Sequence, residues 1–167
     1  KRQINRLEQT VDSIFVKKDE NSELLDEVIL NEIIQKTKLQ YSEVKFIHQS
    51  VFEKNNVLKT IDFQQIVQNL IENSVKYGAS EVVLDFKFRE EITLSFSDNG
   101  IGIPTNDFPF IFDKYYRVDR SINQNVSGLG VGLFLVKNII DRYSGTINVE
   151  NNKEKGVQFL IVLPNEN

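Results

Sequence analysis

Three closely spaced glycines precede an apolar run with helical character in this 167-residue sequence, in the segment SGLGVGLFLVK at residues 127–137. A helix N-terminus lined by glycine exposes unpaired N–H groups and the positive end of the helix dipole, which favours an anion such as phosphate. Close packing of a loop on a sheet explains an isolated Gly-x-Gly-x-Gly equally well. Rossmann and protein-kinase fingerprints are excluded because position 133 is Leu instead of a third glycine, and no Gly-Lys-Ser/Thr follows as in a Walker A loop.

A second glycine cluster, DNGIGIP, spans residues 98–104 where a predicted strand ends. Asn-Gly is typical of a tight turn, and this purely structural interpretation remains open. Gly102, however, adds a second permissive position directly after the turn, which a simple hairpin does not need. The cluster is therefore also a candidate ligand-binding loop.

A polar stripe follows one side of a predicted helix in the segment QNLIENSVKYG, residues 68–78. Asn69, Asn73 and Tyr77 are spaced i, i+4 and i+8, so they share a face, and Lys76 adjoins them. Asn is a poor helix former, so two on one stripe need an explanation. A solvated helix face is one; the other is that an amide oxygen binds a hard cation while Lys76 binds phosphate.

The connection over residues 105–127 is long and unusually aromatic. Loops of this length generally serve a site or are disordered, and disordered loops are rarely so aromatic. With cations nearby, the segment is predicted to be a lid that has an apolar anchor and contacts phosphate; a surface loop on a small satellite core is the alternative. The aromatic and apolar residues are Phe108, Phe110, Ile111, Phe112, Tyr115 and Tyr116, and the cations are Lys114, Arg117 and Arg120.

Periodicity predicts the elements that position these segments. Helical spacing predicts a helix over residues 31–41, one from Asp62 to about Tyr77 with Gly78 as its C-terminal cap, and one over 131–143. The acid-then-amide spacing of Asp62 and Gln65 indicates the N-terminus of the second helix. Alternation predicts one strand over residues 44–52 and a hairpin formed by EVVLDFKF and ITLSFS. It also predicts two later strands, TINVEN and VQFLIVLP. This order predicts an α+β fold: a two-layer sandwich with a mixed, mostly antiparallel sheet covered on one face by about three helices.

Composition excludes several classes of function. The formal charge of −4 argues against nucleic acid as a partner, because phosphate-tracking surfaces need clustered Lys and Arg. With no Cys in the sequence, disulfides and thiolate chemistry are excluded. No apolar run approaches the roughly 20 residues of a membrane helix, so no membrane contact is expected from this chain. Because the sequence starts with Lys1 and lacks Met, we expect it to be a fragment of a longer protein.

Four motifs in order, NLIENSVKY, DNGIGIP, IFDKYYRVD and GLGVGLFLVK, resemble those of the catalytic ATP-binding domain of bacterial sensor histidine kinases. These kinases are a branch of the superfamily of gyrase, heat-shock chaperone, kinase and MutL ATPases. The resemblance covers about residues 24–164 and implies the Bergerat ATP-binding fold. It also implies ATP and Mg²⁺ as cofactors and transfer of the γ-phosphoryl group to a protein histidine.

The resemblance implies roles for individual residues. Asp98 accepts a hydrogen bond from the adenine amino group, Asn73 ligates Mg²⁺, and Lys76 and Tyr77 contact the phosphate chain. Arg117 approaches the terminal phosphate, and the catalytic set is Asn69, Lys76 and Arg117. The glycines let the lid close over the phosphates, while Ile103 and Phe112 form or brace the adenine pocket. The ATP-binding residues implied are Asn73, Lys76, Tyr77, Asp98, Gly100, Gly102, Ile103, Phe112, Lys114, Arg117, Gly128, Leu129, Gly130, Val131, Gly132 and Leu133.

Departures from related proteins refine the expected activity. Hydrolytic relatives in the superfamily carry a Glu at the position of Asn69, and an amide cannot act as a base. Glu72 is expected to point about 100° away around the helix from Asn73. We therefore expect phosphoryl transfer with poor ATP hydrolysis. Where the family has Thr, this chain has Val157, and losing one hydroxyl should weaken ATP binding by about 0.5 to 1.5 kcal/mol.

The phosphoacceptor motif of the family is absent, and the one histidine, His48, lies in a predicted strand. This chain is therefore expected to bind ATP without labelling itself. Residues 1–20 carry a heptad-like seam and are predicted to be the end of the second dimerisation helix and a linker, followed by the catalytic domain over residues 24–164. The seam consists of Ile4, Leu7, Val11 and Ile14.

The expected partners follow from the resemblance. They are the protein's own dimerisation and phosphoacceptor domain, a response-regulator receiver domain, and a second copy in a full-length homodimer. The expected location is the cytoplasm, with membrane anchoring of the parent protein left open. Two alternatives remain: a serine kinase of the anti-sigma-factor type with the same fold, and a docking scaffold that does not respond to nucleotide.

Overall fold

The computed structural model describes residues 23–118 and 128–166 as a layer of helices packed on one face of a sheet. The predicted α+β sandwich is thereby confirmed. The heptad seam of residues 1–20 and Arg120 lie outside the described residues. The elements are helices α1 (Glu27–Gln40), α2 (Thr60–Lys76) and α3 (Gly132–Arg142), a 3-10 turn (Thr105–Asp107), and strands β1 (Lys45–Phe52), β2 (Glu81–Phe88), β3 (Glu91–Asp98), β4 (Thr146–Asn151) and β5 (Val157–Pro164).

The five strands form one mixed sheet in the order β1-β2-β3-β5-β4. β1 runs parallel to β2, and every other neighbouring pair is antiparallel. Side chains of a strand alternate between the two faces, so one face collects the apolar residues of β2, β3 and β5. The buried residues on that face include Leu84, Phe86, Leu94, Phe96, Phe159 and Ile161.

The helices cover this apolar face and complete the core. The apolar residues that repeat at helical spacing in α2 are all buried, at 0–1% relative exposure. Burying each such side chain contributes about 1.5 to 3 kcal/mol, so the face of α2 opposite its polar stripe is firmly anchored to the sheet. The core residues of the two helices that border the site are Phe63, Ile66, Val67, Leu70 and Ile71 in α2, and Val136, Ile139 and Ile140 in α3.

The strand predictions are confirmed to within one residue, whereas two helix starts differ from prediction. α1 begins at Glu27 instead of residue 31, because the Asp26 carboxylate accepts a hydrogen bond from the Ile29 N–H and caps the helix there. α2 begins at Thr60, and no side chain caps it. The predicted N-terminal role of Asp62 was therefore wrong.

Asp62 instead lies buried between two helices, with 6% of its surface exposed. Its Oδ1 accepts a hydrogen bond from Arg142 Nη2 at 2.5 Å and its Oδ2 accepts one from the Tyr143 hydroxyl at 2.6 Å. The Tyr143 hydroxyl also accepts one from the Lys59 N–H at 3.0 Å. Burial and the bond to Asp62 raise the pKa of Tyr143 well above its usual range. The cluster ties the C-terminus of α3 to the start of α2, so it fixes how these two helices cross.

His48 lies in β1 as predicted, on the side of the sheet that faces the helices. Its ring centroid is 5.7 Å from that of Phe86. Burial, together with the charge of Lys38, lowers the pKa of His48, so its imidazole is neutral at physiological pH. None of the described helices has both the length and the apolar character needed to cross a membrane.

Replacing Tyr143 with Phe should lower the free energy of unfolding by about 1 to 3 kcal/mol, because a buried carboxylate oxygen loses its donor. Urea unfolding followed by circular dichroism measures this change. Tyr41→Phe is the matched control, since the Tyr41 hydroxyl accepts a bond from Gln40 at the exposed surface. The control should stay within about 0.5 kcal/mol of wild type. Equal effects of the two substitutions would show that the cluster does not hold the helices together.

Candidate functional site

A cavity of about 590 Å³ opens between α2, the end of β3 and the glycine segment that leads into α3. Its size is that of a small-molecule site. Every member of the predicted polar stripe lines it, as do most of the second glycine cluster and the three glycines at the start of α3. The lining residues are Asn69, Glu72, Asn73, Ser74, Lys76, Tyr77, Asp98, Ile101, Gly102, Ile103, Pro104, Ile111, Tyr116, Arg117, Val118, Gly128, Leu129, Gly130, Val131, Gly132, Leu133, Asn151, Val157 and Phe159.

Three predicted site residues, Gly100, Phe112 and Lys114, do not line the cavity. The Gly100 N–H donates a hydrogen bond to Asp98 Oδ1 at 2.9 Å, so Gly100 supports the floor of the cavity. The ring of Phe112 packs edge-on against Phe159 at 6.5 Å between centroids, which braces the apolar wall. Lys114 Nζ lies 5.3 Å from the ring centroid of Tyr115. These three residues do not reach the cavity surface, whereas the other predicted site residues do.

Asp98 forms the floor of the cavity and is 8% exposed. Its Oδ1 accepts hydrogen bonds from the N–H groups of Gly100 at 2.9 Å and Val157 at 3.3 Å. Its Oδ2 accepts one from the Ser74 hydroxyl at 2.7 Å. A buried carboxylate is costly unless it is hydrogen-bonded, and three protein donors meet this requirement. The carboxylate is therefore held in one orientation.

The backbone beneath Asp98 is fixed by the corner between β4 and β5. The Asn152 Nδ2 donates a hydrogen bond to the Asp98 carbonyl oxygen at 2.7 Å, and the Asn152 N–H donates one to the Gly156 carbonyl oxygen at 3.0 Å. Gly156 has φ +93°, and a Cβ at this position would lie 1.9 Å from the Asp98 carbonyl oxygen. Only glycine allows the corner to approach the floor this closely.

Asn151 holds the second glycine cluster against the same corner. Its Oδ1 accepts a hydrogen bond from the Ile103 N–H at 2.9 Å, and its Nδ2 donates one to the Ile103 carbonyl oxygen at 2.7 Å. The amide thus pairs with both backbone groups of Ile103 as a neighbouring strand would. Gly102 has φ +76°, and a Cβ at this position would lie only 3.0 Å from Asn151 Oδ1. Glycine avoids both the strain and the close contact. This pairing sets the position of Ile103 in the cavity wall.

The glycines before α3 are explained largely by contacts within the protein. A Cβ at Gly130 would lie 2.6 Å from the Tyr116 carbonyl oxygen, and one at Gly132 would lie 2.8 Å from Asn69 Oδ1. At Gly128, the nearest atom to such a Cβ is Lys76 Nζ at 3.2 Å. Close contacts therefore account for two of the three glycines, although these contacts are with the segment at Tyr116 and with α2 and not with the sheet.

The amino end of α3 opens toward the cavity without a side-chain cap. The residue before it, Val131, has no side-chain cap hydrogen bond, and the first intrahelical bond runs from the Leu135 N–H to the Val131 carbonyl oxygen. A helix N-terminus exposes N–H groups that a ligand or water can bind, and here no side-chain cap closes it. With Lys76 and Arg117 in the same lining, this end of the cavity is suited to an anion.

The other end of the cavity is apolar, and the predicted set of site residues includes only part of it. Strand periodicity marks such residues as core but does not say which of them border a cavity. Ser74 carried no signal, because one Ser in a helix is ordinary. Glu72, expected to point away, also lines the cavity, and its Oε1 accepts a hydrogen bond from Gln68 Nε2 at 2.9 Å. The lining residues outside the predicted set of site residues are Glu72, Ser74, Ile101, Pro104, Ile111, Tyr116, Val118, Asn151, Val157 and Phe159. Of these, Ile101 and Pro104 lie in the predicted ligand-binding loop, Ile111 and Tyr116 lie in the predicted lid, and Val157 was noted as a departure that affects ATP binding.

A family model and curated relatives both match this chain. The family model described as "Histidine kinase-, DNA gyrase B-, and HSP90-like ATPase" matches residues 59–167. Among curated proteins, a sensor protein kinase WalK from Staphylococcus aureus is 28% identical over 173 residues, covering 98% of this chain and 40% of that protein. A second WalK, from strain JH9, is also 28% identical and is covered over 27% of its length. This chain therefore spans less than half the length of these relatives.

Solved structures show the same fold. The mycobacterial sensor histidine kinase MprB superimposes with a TM-score of 0.70 at 19% identity, covering 87% of this chain and 98% of that one. Full-length ShkA in complex with AMPPNP gives 0.71 at 19% identity, covering 87% of this chain and 31% of that one. At these identities the likeness establishes the fold.

Replacing Gly156 with Ala should lower the free energy of unfolding by about 3 kcal/mol or more, because the new methyl group meets the Asp98 backbone at a strained φ. Gly78→Ala is the matched control. Gly78 has a similar φ of +78° but nothing within 4 Å of the added Cβ, so it reports the backbone strain alone. Its cost should be about 1 kcal/mol. Urea unfolding of both variants measures the difference, and equal costs would mean that the corner can move away from the floor.

Proposed function

We propose a function for this chain on the premise that it belongs to the family of histidine kinase-, DNA gyrase B- and HSP90-like ATPases, whose model matches well over half of it. The chain is the catalytic ATP-binding domain of a sensor histidine kinase. It binds ATP in the cavity above Asp98 and transfers the γ-phosphoryl group to a histidine on the dimerisation domain of the same protein. The sensor kinases among its relatives favour this over a serine kinase of the anti-sigma-factor type.

The observation that carries the proposal is that the two ends of the cavity differ in chemistry. The floor offers a carboxylate among the apolar side chains of Ile103, Ile111 and Phe159, which suits a flat base that carries an amino group. The far end offers the open helix terminus and two cations, which suits a phosphate chain. A docking scaffold would need neither end, so the cavity also argues against that alternative.

The residues present also fit Mg²⁺, the cation expected with ATP. Within residues 23–118 and 128–166 no cluster of three or more His, Asp or Glu side chains could hold a metal by itself. Mg²⁺ does not require one, because it commonly keeps several waters and binds few protein ligands together with substrate phosphates. The Asn73 amide oxygen would supply such a ligand. When bound, the ion neutralises negative charge on the phosphates.

Phosphoryl transfer needs alignment and electrostatic stabilisation from the protein, and little covalent chemistry. The Asn69 Nδ2 donates a hydrogen bond to the Gln65 carbonyl oxygen at 2.8 Å, so its amide is fixed with the oxygen toward Gly132. An amide at this position cannot activate water. Lys76 and Arg117 stabilise the charge on the transferred group. We therefore propose that transfer is favoured and hydrolysis is slow.

The phosphoacceptor must come from elsewhere in the protein. His48 lies in the edge strand β1 and does not line the cavity. We propose that residues 1–20 are the end of a dimerisation helix and that residues 24–164 form the catalytic domain. The acceptor histidine then belongs to the dimerisation domain of a homodimer, and a response-regulator receiver domain takes the phosphoryl group onward. The cytoplasm, where ATP is available, is the compartment proposed for these steps.

Asp98→Asn should weaken binding of a non-hydrolysable ATP analogue by about 10- to 150-fold, which corresponds to the 1.5 to 3 kcal/mol of a hydrogen bond to a charged group. Calorimetric titration measures the dissociation constant. Asp141→Asn is the matched control, because Asp141 is exposed on α3 and does not line the cavity. Equal affinities of wild type and Asp98→Asn would exclude the floor carboxylate as the adenine ligand.

Incubation with radiolabelled ATP, Mg²⁺ and the dimerisation domain of its own parent protein should place acid-labile label on that domain. Without the added domain, the chain should neither label itself nor release phosphate rapidly, since position 69 is an amide and the Glu72 carboxylate is bonded to Gln68. Glu72→Gln should leave both results unchanged. A rapid Mg²⁺-dependent ATPase activity that Glu72→Gln abolishes, or stable label on His48, would contradict the proposed transfer.

A further inference from the structure

We propose that Ser74 is a positioning residue for the adenine nucleotide, acting through Asp98. Its hydroxyl orients the Asp98 carboxylate and takes over the task of the hydroxyl that position 157 lacks. This inference rests on the proposed function, because it concerns how the same cavity recognises its base. It also changes the expectation drawn from Val157. Because a hydroxyl reaches the floor of the cavity from α2 instead of β5, the absence of Thr at position 157 should not weaken ATP binding.

The Ser74 hydroxyl is well placed to donate to the floor. Ser74 is buried, with 9% of its surface exposed, and follows Asn73 directly on α2. Its Oγ lies 2.7 Å from Asp98 Oδ2 and 3.2 Å from the Leu70 carbonyl oxygen. A hydroxyl has one proton to donate, and the shorter contact to a charged acceptor is the stronger one. The proton therefore points to Asp98.

The Asp98 carboxylate keeps one acceptor site for a ligand. A carboxylate has about four lone-pair sites, two on each oxygen. The N–H groups of Gly100 and Val157 occupy Oδ1, and the Ser74 hydroxyl occupies one site on Oδ2. One site on Oδ2 remains. Because both oxygens are held, the carboxylate cannot rotate away, and the remaining site offers a fixed acceptor to an exocyclic amino group.

Position 157 lies beside the same carboxylate, at the start of β5. Val157 is 6% exposed, its side chain carries no donor, and its N–H already reaches Asp98. Residue 157 therefore borders, through its backbone, the same carboxylate that the Ser74 hydroxyl contacts from α2. Serine also has a lower helix propensity than alanine, and a buried hydroxyl costs free energy unless it is bonded. Ser74 meets that cost through its bond to Asp98.

The test is a double-mutant cycle on nucleotide affinity, with ADP as the probe and calorimetry as the measurement. Ser74→Ala should weaken ADP binding by about 5- to 20-fold, the scale of one hydrogen bond in a network with a charged group. Val157→Thr alone should change affinity by less than about twofold, because the Ser74 hydroxyl already holds the carboxylate in place. In the Ser74→Ala background, Val157→Thr should restore most of the loss, a non-additive result typical of residues that share one partner.

Two further variants make the cycle specific. Ser74→Cys keeps a similar shape with a weaker donor, so its affinity should fall between those of wild type and Ser74→Ala. Ser95→Ala is the matched control, because the Ser95 hydroxyl accepts a hydrogen bond from Gln158 on the opposite face of the sheet. Its ADP affinity should equal that of wild type.

The outcomes separate this inference from the proposed function. If wild type binds ADP but Ser74→Ala binds it equally well, the role of Ser74 is overturned while the function stands. A loss in Ser74→Ala that Val157→Thr does not reduce would also overturn the inference, since a general packing defect predicts no rescue. Failure of folded wild type to bind any adenine nucleotide would refute the proposed function itself.

Discussion

A buried carboxylate at the end of β3 is the constraint around which this domain is organised. Asp98 sits at 8% exposure beside an apolar pocket, where an ionised group is tolerated only if the fold provides donors. Those donors come from three places in the chain: a helix hydroxyl at Ser74, the following turn at Gly100, and the start of β5 at Val157. The sandwich brings these elements together, so the floor of the site is a product of the whole topology.

The glycines follow from the same demand for close approach. At Gly156 the β4–β5 corner touches the Asp98 backbone, and at Gly130 the segment before α3 touches the backbone of Tyr116. The site is thus built by pressing three backbone segments together, with side chains removed where they would collide. Backbone amides left open at the start of α3 then become available to a phosphate chain. The same close approach of backbone segments therefore packs the protein and forms the binding site.

Much of this arrangement could be predicted from the sequence, where the signal is local. The alternation of β2 and β3, the apolar stripe of α2 and the motifs around Asn73 and Asp98 are each contained in one short segment of the sequence. Contacts between distant segments leave no such pattern. Asp62 looks like a helix start by its spacing with Gln65, yet it pairs with Arg142, 80 positions later. Asn151 and Ser74 were missed for the same reason, because a single polar residue does not reveal which backbone or carboxylate it meets.

The most direct test of the central claim is calorimetric titration of the folded chain with Mg-ATP and, separately, Mg-GTP. A fixed carboxylate acceptor favours a base that presents an amino group, whereas guanine presents a carbonyl oxygen at the equivalent position. We predict submillimolar binding of ATP and binding of GTP weaker by about tenfold or more, a difference of about 1.4 kcal/mol. No heat of binding with ATP at millimolar concentration, or equal affinity for the two nucleotides, would contradict this account of the site.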